Sequence, residues 1–148
     1  MTNYQKVVEF QKKIGGKSFN PSRKSLEEYD VFHQYLLIKE EDEELRKAMQ
    51  DKNIVEVVDA CIDKLYVIYG LLYRLSLDAD KLFDIVHKSN MTKGGKLDKN
   101  GKLIKGKDYV PPTSGIINYI MKVQKELLGK KANYNNSNGY LSSHTNYQ

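Results

Sequence analysis

Along the chain, stretches in which apolar residues recur every three or four positions alternate with short polar breaks. This is the pattern of successive amphipathic helices. Residues 4–14 carry Val7, Val8, Phe10 and Ile14 at that spacing, and Gly15-Gly16 follows as a stop signal. Residues 15–24 read as a loop stiffened by Pro21. Ser25, with Glu28 three residues on, has the form of a capping box and predicts a long helix to about Gln50, with Leu26, Tyr29, Phe32, Leu36, Leu37, Leu45, Ala48 and Met49 among its apolar positions. After a break at Asp51-Lys52-Asn53, a third helix is predicted over 54–75. It is apolar nearly all round, through Val55, Val57, Val58, Ile62, Leu65, Val67, Ile68, Leu71 and Leu72, and is expected in the middle of the fold. Asp78 can cap a fourth helix over 79–89, with Leu82, Phe83, Ile85 and Val86 turned inward.

The pattern then changes. Residues 92–112 are rich in lysine and glycine, and Asn100-Gly101 between Lys-Leu pairs is a hairpin turn signal. Beyond Pro111-Pro112, the spacing of Ile116, Ile120, Val123 and Leu127 predicts a last amphipathic helix over about 114–129. The expected architecture is all-α: a four-helix bundle core (1–91), a basic hairpin arm (92–112), a C-terminal helix (113–131) and a flexible Asn/Ser-rich tail (132–148).

Composition narrows the classes. A chain of 148 residues is one ordinary domain, able to bury roughly two-thirds of its unfolded surface. No apolar run approaches the about 18 residues of a membrane span, and the polar start, Met1 to Gln11, has no signal-peptide core. The single cysteine, Cys61, excludes an intrachain disulfide and fits a reducing cytoplasm; its apolar helical setting predicts a core residue. The net charge of +5 raises the question of a polyanionic partner, but it is unevenly placed. Acids crowd Glu40 to Glu44, and lysines crowd Lys88 to Lys107.

The acids change the picture most. On a helix, Glu40, Glu41 and Glu44 fall within an arc of about 100°. In the third helix Glu56, Asp59 and Asp63 fall within about 60°. Carboxylates along one stripe of an apolar helix repel one another, and burying them is costly without compensation. Either the stripe faces water or cations neutralise it. Two such clusters, one short break apart on helices able to pack antiparallel, make an all-oxygen site of the kind that suits Mg²⁺ or Mn²⁺ rather than Zn²⁺.

The run Leu37-Ile38-Lys39-Glu40-Glu41-Asp42-Glu43-Glu44-Leu45 carries the pattern E-E-x-x-E. The next helix reads Val55-Glu56-Val57-Val58-Asp59-Ala60-Cys61-Ile62-Asp63-Lys64-Leu65-Tyr66, and contains D-x-x-x-D-x-x-Y. In this order and spacing the two segments resemble the metal motif of the all-α nucleotide pyrophosphatases, a superfamily that includes the MazG-like enzymes, the dimeric dUTPases and phosphoribosyl-ATP pyrophosphohydrolase. Val86-His87-Lys88-Ser89-Asn90-Met91-Thr92-Lys93, the Lys/Gly hairpin and Tyr109-x-Pro111-Pro112 are similar to a segment of phage-type members. The resemblance covers about residues 4–112. Many members carry a glutamate three residues before the aspartate that aligns with Asp63; here Ala60 stands there, with Glu56 and Asp59 available on the same face.

The resemblance implies hydrolysis of a nucleoside triphosphate to monophosphate and pyrophosphate, with Mg²⁺, or Mn²⁺, held by Glu40, Glu41, Glu44, Glu56, Asp59 and Asp63. It makes Glu41 the candidate for positioning or deprotonating the attacking water. Lys88 and Lys93 are suited to phosphates, Asn90 to phosphate, ribose or base, and Tyr66 either to stacking on the base or to the core. Homo-oligomers, dimers or tetramers, are expected in the cytoplasm of a bacterial or phage-infected bacterial cell. The alternative is a weak or inactive nucleotide binder that sequesters a nucleotide signal, with Ala60 as the cause. Nucleic acid is disfavoured as a partner, because the arm has no interleaved aromatics before Tyr109 and the acids repel phosphates when metal-free.

Overall fold

A computed structural model describes residues 1–141, with only the helical backbone over 132–141. Among these residues the regular elements are helices: α1 (Asn3–Lys13), α2 (Tyr29–Gln50), α3 (Ile54–Arg74), α4 (Ala79–Met91) and α5 (Thr113–Leu141), with a 3₁₀ turn at Lys24–Glu27. The all-α expectation holds. None of these helices is long and apolar enough to cross a membrane.

The caps explain where the helices begin. Asn53 accepts hydrogen bonds from the Val55 and Glu56 N–H groups, and Asp78 from those of Asp80 and Lys81, so α3 and α4 start where the polar breaks place them. The expected capping box at Ser25 does not open α2. The Ser25 hydroxyl is buried, donates to the Ser22 carbonyl and accepts from the Ser22 N–H. With its side chain spent on the loop, the chain makes one 3₁₀ turn, and α2 begins at Tyr29 behind an extended Glu28. A capping box forms instead between Thr2 and Gln5, at the start of α1.

The antiparallel pair α2–α3 is the spine, and α1 lies on α3 through Tyr4, Val7 and Gln11. Tyr4 meets Tyr69 edge-on at 5.9 Å, and its hydroxyl donates to the Leu77 carbonyl at 2.7 Å. Of the apolar positions at helical spacing, Phe10 and Ile14 are exposed, because the buried stripe of α1 runs through Tyr4, Val7 and Gln11. In α4 the side chains of Leu82 and Ile85 are half-buried, whereas Phe83, 67% exposed, points out.

Helix α3 is central, yet one face of its first half is bare. Ile54 and Val55 are each 71% exposed, and Val58, Ile62 and Leu65 are also exposed. Cys61, expected in the core, is exposed on the same half of the helix.

Within the arm, Leu97 and Leu103 form one antiparallel bridge, and Gly101 (φ 75°) takes the left-handed position the turn requires. The Ser89 hydroxyl donates to the Val110 carbonyl and the Val110 N–H to the Thr92 hydroxyl, which fixes the base of the arm to the end of α4. In α5, Ile116, Ile120, Val123 and Leu127 are half-buried as their spacing predicts. The helix continues through Leu141, beyond the expected 113–131, because once formed it gains a hydrogen bond for every residue added. The remainder of the expected tail, 142–148, lies outside the described residues.

Candidate functional site

The register of α2 against α3 is set by two cross-links. The Gln34 amide donates to the Val67 carbonyl at 3.1 Å, and Lys64 pairs with Asp42. Residues whose numbers sum to between 101 and 106 therefore face one another. By that rule Glu41 lies opposite Asp63, and Glu44 opposite Asp59.

The five acids of residues 40–44 are not equivalent. Asp42 is neutralised by Lys64, and Glu43 by Arg46 one turn along the same helix. The Arg46 guanidinium holds the Glu43 carboxyl below its ordinary value. Glu40, Glu41 and Glu44 have no ion-pair partner among the described residues. The two compensated acids are those that the E-E-x-x-E pattern leaves out.

Glu41 sits at the centre of the rest. Burial raises its carboxyl above the usual range, and the negative charges of Glu44, Asp63, Glu40 and Asp59 raise it further. Its Oε2 is buried with no hydrogen-bond partner among the described residues. Thus α2 and α3 bring Glu40, Glu41, Glu44, Asp59 and Asp63 into one field of negative charge. Among the described residues, no three His, Cys, Asp or Glu side chains are drawn close enough together to grip one ion.

Glu56 stands apart, nearer the α2–α3 turn. It lines a cavity of about 440 Å³ with Glu44, Lys47, Asp51, Asn53 and Asp59, and the alanines Ala48 and Ala60 line it too. Ala60 is only 5% exposed, so this position lies in the seam between the helices. Four acids surround a space that a longer side chain at residue 60 would partly occupy.

The remaining candidates are dispersed. Tyr66 is half-buried and meets Phe10 edge-on at 5.6 Å, which favours the packing role over base stacking. Lys88 and Asn90 are exposed on the last turns of α4, and Lys93 follows it with its N–H on the Asn90 carbonyl. No hydrogen bond or ion pair joins these three side chains to the acids among the described residues. Lys88 lines a separate hollow of about 350 Å³ with Pro111, Pro112 and Ser114. Sequence reasoning missed Lys64 and Arg46; an acid paired with a base three residues on, or across a helix pair, is the signal that would have separated the compensated acids from the free ones.

Comparison with known proteins bears on this arrangement. The family model described as phosphoribosyl-ATP pyrophosphohydrolase matches residues 7–90, more than half of the chain, from α1 to the end of α4. An uncharacterized protein, L479, of Acanthamoeba polyphaga mimivirus is 33% identical over 99 residues, which cover 62% of this chain and 39% of that relative. The chain therefore spans well under half the length of that relative.

Proposed function

Because the chain belongs to the phosphoribosyl-ATP pyrophosphohydrolase family, we propose that it hydrolyses a nucleoside triphosphate, or a deoxynucleoside triphosphate, to the monophosphate and pyrophosphate. The observation that carries the reading is Glu41: a partly buried carboxyl, one oxygen unpartnered, among four other acids that have no ion-pair partner among the described residues. A structural role leaves that expense unexplained, since an unpaired buried carboxylate destabilises the fold.

The donor set fits a divalent cation. It consists of carboxylate oxygens without nitrogen or sulfur, as Mg²⁺ and Mn²⁺ prefer. Glu40, Glu44, Asp59 and Asp63 would hold the ion once their side chains are drawn together around it, with Glu56 at the margin. When bound, it would neutralise charge on the phosphate oxygens and make a water molecule more acidic.

Glu41 is the base. Its raised affinity for a proton suits it to accept one from the attacking water. The water oxygen bonds to the phosphorus, the bond from that phosphorus to the bridging oxygen breaks, and pyrophosphate departs with the electron pair. Lys88, Asn90 and Lys93 supply donors for phosphate and sugar from α4 and the base of the arm.

The bare apolar stripe of α3 supports a homo-oligomer, because Ile54, Val55, Val58, Ile62 and Leu65 together form a patch of the kind that monomers seldom leave open.

Pyrophosphate release from a panel of nucleoside and deoxynucleoside triphosphates, with Mg²⁺ or with EDTA, tests the proposal. Turnover that requires the metal and disappears in Glu41→Gln and Asp63→Asn supports it. Binding without turnover across the panel would sink it in favour of the sequestering protein, a reading that Ala60 favours by removing one carboxylate from the seam.

A further inference from the structure

At the far end of α3 lies a second cavity of opposite character. Three cross-links frame it. The Phe19 N–H donates to the Arg74 carbonyl at 2.7 Å, the Gln124 amide donates to the Pro21 carbonyl, and the Asp78 N–H donates to the Tyr119 hydroxyl at 3.1 Å. Together they clamp the 18–21 loop, the turn after α3 and helix α5 around a space of about 610 Å³. Its lining is Ser18, Phe19, Asn20, Ser76, Leu127, Lys130 and Lys131.

The chemistry of that lining is specific. Lys130 and Lys131 bring two ammonium groups and no acid accompanies them, so an anion is favoured. Ser18 and Ser76 add hydroxyls for its oxygens. Phe19 and Leu127 offer an apolar surface on which a flat ring can lie. Asn20 Oδ1 is buried and has no hydrogen-bond partner among the described residues, a cost that a ligand N–H or O–H donor would relieve. The volume falls within the ordinary range for small-molecule sites.

We propose that this cavity is a second, metal-independent binding site for a nucleoside monophosphate, with its phosphate on Lys130 and Lys131, its base on Phe19, and a base or sugar donor on Asn20. It is not an extension of the acidic site. From Asp63 to Ser76 the chain advances thirteen residues along and just past α3, roughly 20 Å at the helical rise, and the charge changes sign. The two lysines belong to α5, outside the family match over 7–90, so the positive charge of the site comes from beyond the matched segment. Because α5 is tied to the body by only a few cross-links, occupancy also braces it there. The inference is independent of the hydrolase reading.

The test is calorimetric titration of the full chain with AMP, GMP, CMP and UMP in EDTA, where the acidic site, lacking its cation, repels phosphate. At least one monophosphate is expected to bind. Lys130→Glu with Lys131→Glu should weaken it by roughly tenfold or more, Asn20→Ala should weaken it less, and Asp63→Asn should leave it unchanged. Both lysines are exposed, so the charge reversal is expected to fold, and circular dichroism verifies this. Inorganic phosphate should compete only weakly. Absence of binding by all four nucleotides, or binding that survives the charge reversal, overturns the proposal; loss in Asp63→Asn with retention in the lysine variant assigns the nucleotide to the acidic site instead.

Discussion

The two ends of the α2–α3 pair both bury polar side chains, and they treat them in opposite ways. At the end near α1, the Gln34 amide donates to the Val67 carbonyl, the Arg74 guanidinium to the Lys17 carbonyl and the Tyr73 hydroxyl to the Gly16 carbonyl, each at 3.1 Å. Gln34 is only 3% exposed. Its role is to hold elements in place through the backbone. Further along the pair, towards the α2–α3 turn, Glu41 has a buried oxygen with no donor among the described residues and neighbours that repel it. The first arrangement ties elements together, although Gln11 Oε1 and Arg74 Nε are buried there without partners among the described residues; the second costs stability, a cost that the proposed cation would offset. What sets the acidic cluster apart is that like charges are drawn together, so repulsion adds to the cost of burial.

The sharpest way to break this comparison lies within the acidic run. Neutralising an unanswered acid, as in Glu41→Gln or Asp63→Asn, should reduce the rate of pyrophosphate release by about 100-fold or more. Neutralising an answered one, as in Asp42→Asn or Glu43→Gln, should change it less than about threefold, since exposed ion pairs contribute little. Equal losses in all four variants would mean that the run acts as a diffuse field and that the division by Lys64 and Arg46 has no functional content.

The structural end is tested at Gly70. Alanine in place of glycine inside a helix ordinarily stabilises by about 1 kcal/mol. Here a Cβ would meet the Gln34 amide nitrogen at 2.6 Å and its carbon at 3.0 Å, with the Gln11 amide nitrogen at 3.1 Å. The sign should reverse, with a loss of about 1–3 kcal/mol in urea unfolding. Because both glutamines are buried and the Gln34 amide is bonded to the Val67 carbonyl, they have little room to withdraw. The double variant Gly70→Ala with Gln34→Ala should recover part of the loss; a stabilised Gly70→Ala would show that the glutamines are free to move.

Much of this was legible in the sequence, for reasons that can be assigned. Helix starts at Asn53 and Asp78 were visible because short polar side chains cap through local hydrogen bonds. The grouping of Glu40, Glu41 and Glu44 with Asp59 and Asp63 was visible because helical periodicity and a three-residue break together set the pairing. Ser25 misled because its hydroxyl found a partner in Ser22 before the helix began, a competition that spacing does not reveal. Cys61 and the α3 stripe misled because apolar character predicts removal from water without saying which surface does the covering. Buried Gln11, Gln34 and Arg74 carry no such signal, since a polar side chain in the core is recognisable only when its surroundings across the fold are known.

That α3 stripe separates a monomer from an assembly. Ile62, 57% exposed, lies between Val58 and Leu65 on the bare face and lines a shallow apolar hollow with Ile54, Val55, Val58 and Asp59. Ile62→Glu should leave the helical content of the chain unchanged and convert an oligomer into monomers in light scattering, because a charge there loses nothing in water and cannot be covered cheaply. A wild-type chain that is monomeric at all concentrations would remove this reading and leave the acidic site complete within one subunit.

The smallest effect is also the most direct measure of the cost of the acidic site. Glu41 binds its proton more tightly in the folded chain than in the unfolded one, because burial and the charges of Glu44, Asp63, Glu40 and Asp59 disfavour its ionised form. A group whose folded pKa is raised contributes its stability below the unfolded value, and that stability is lost as pH rises through the folded value. Metal-free Glu41→Gln should therefore melt about 1–4 °C higher than the wild-type chain at neutral pH, with the difference vanishing below about pH 4, where the wild-type carboxyl is protonated in both states. Saturating Mg²⁺ should reverse the order, since a ligand that binds the folded chain stabilises it in proportion to its affinity and the variant has lost a carboxylate charge beside it. A Glu41→Gln protein that melts lower than wild type without metal would mean that the carboxylate is held by interactions worth more than its repulsions. The contrast between the two ends of the helix pair would then disappear.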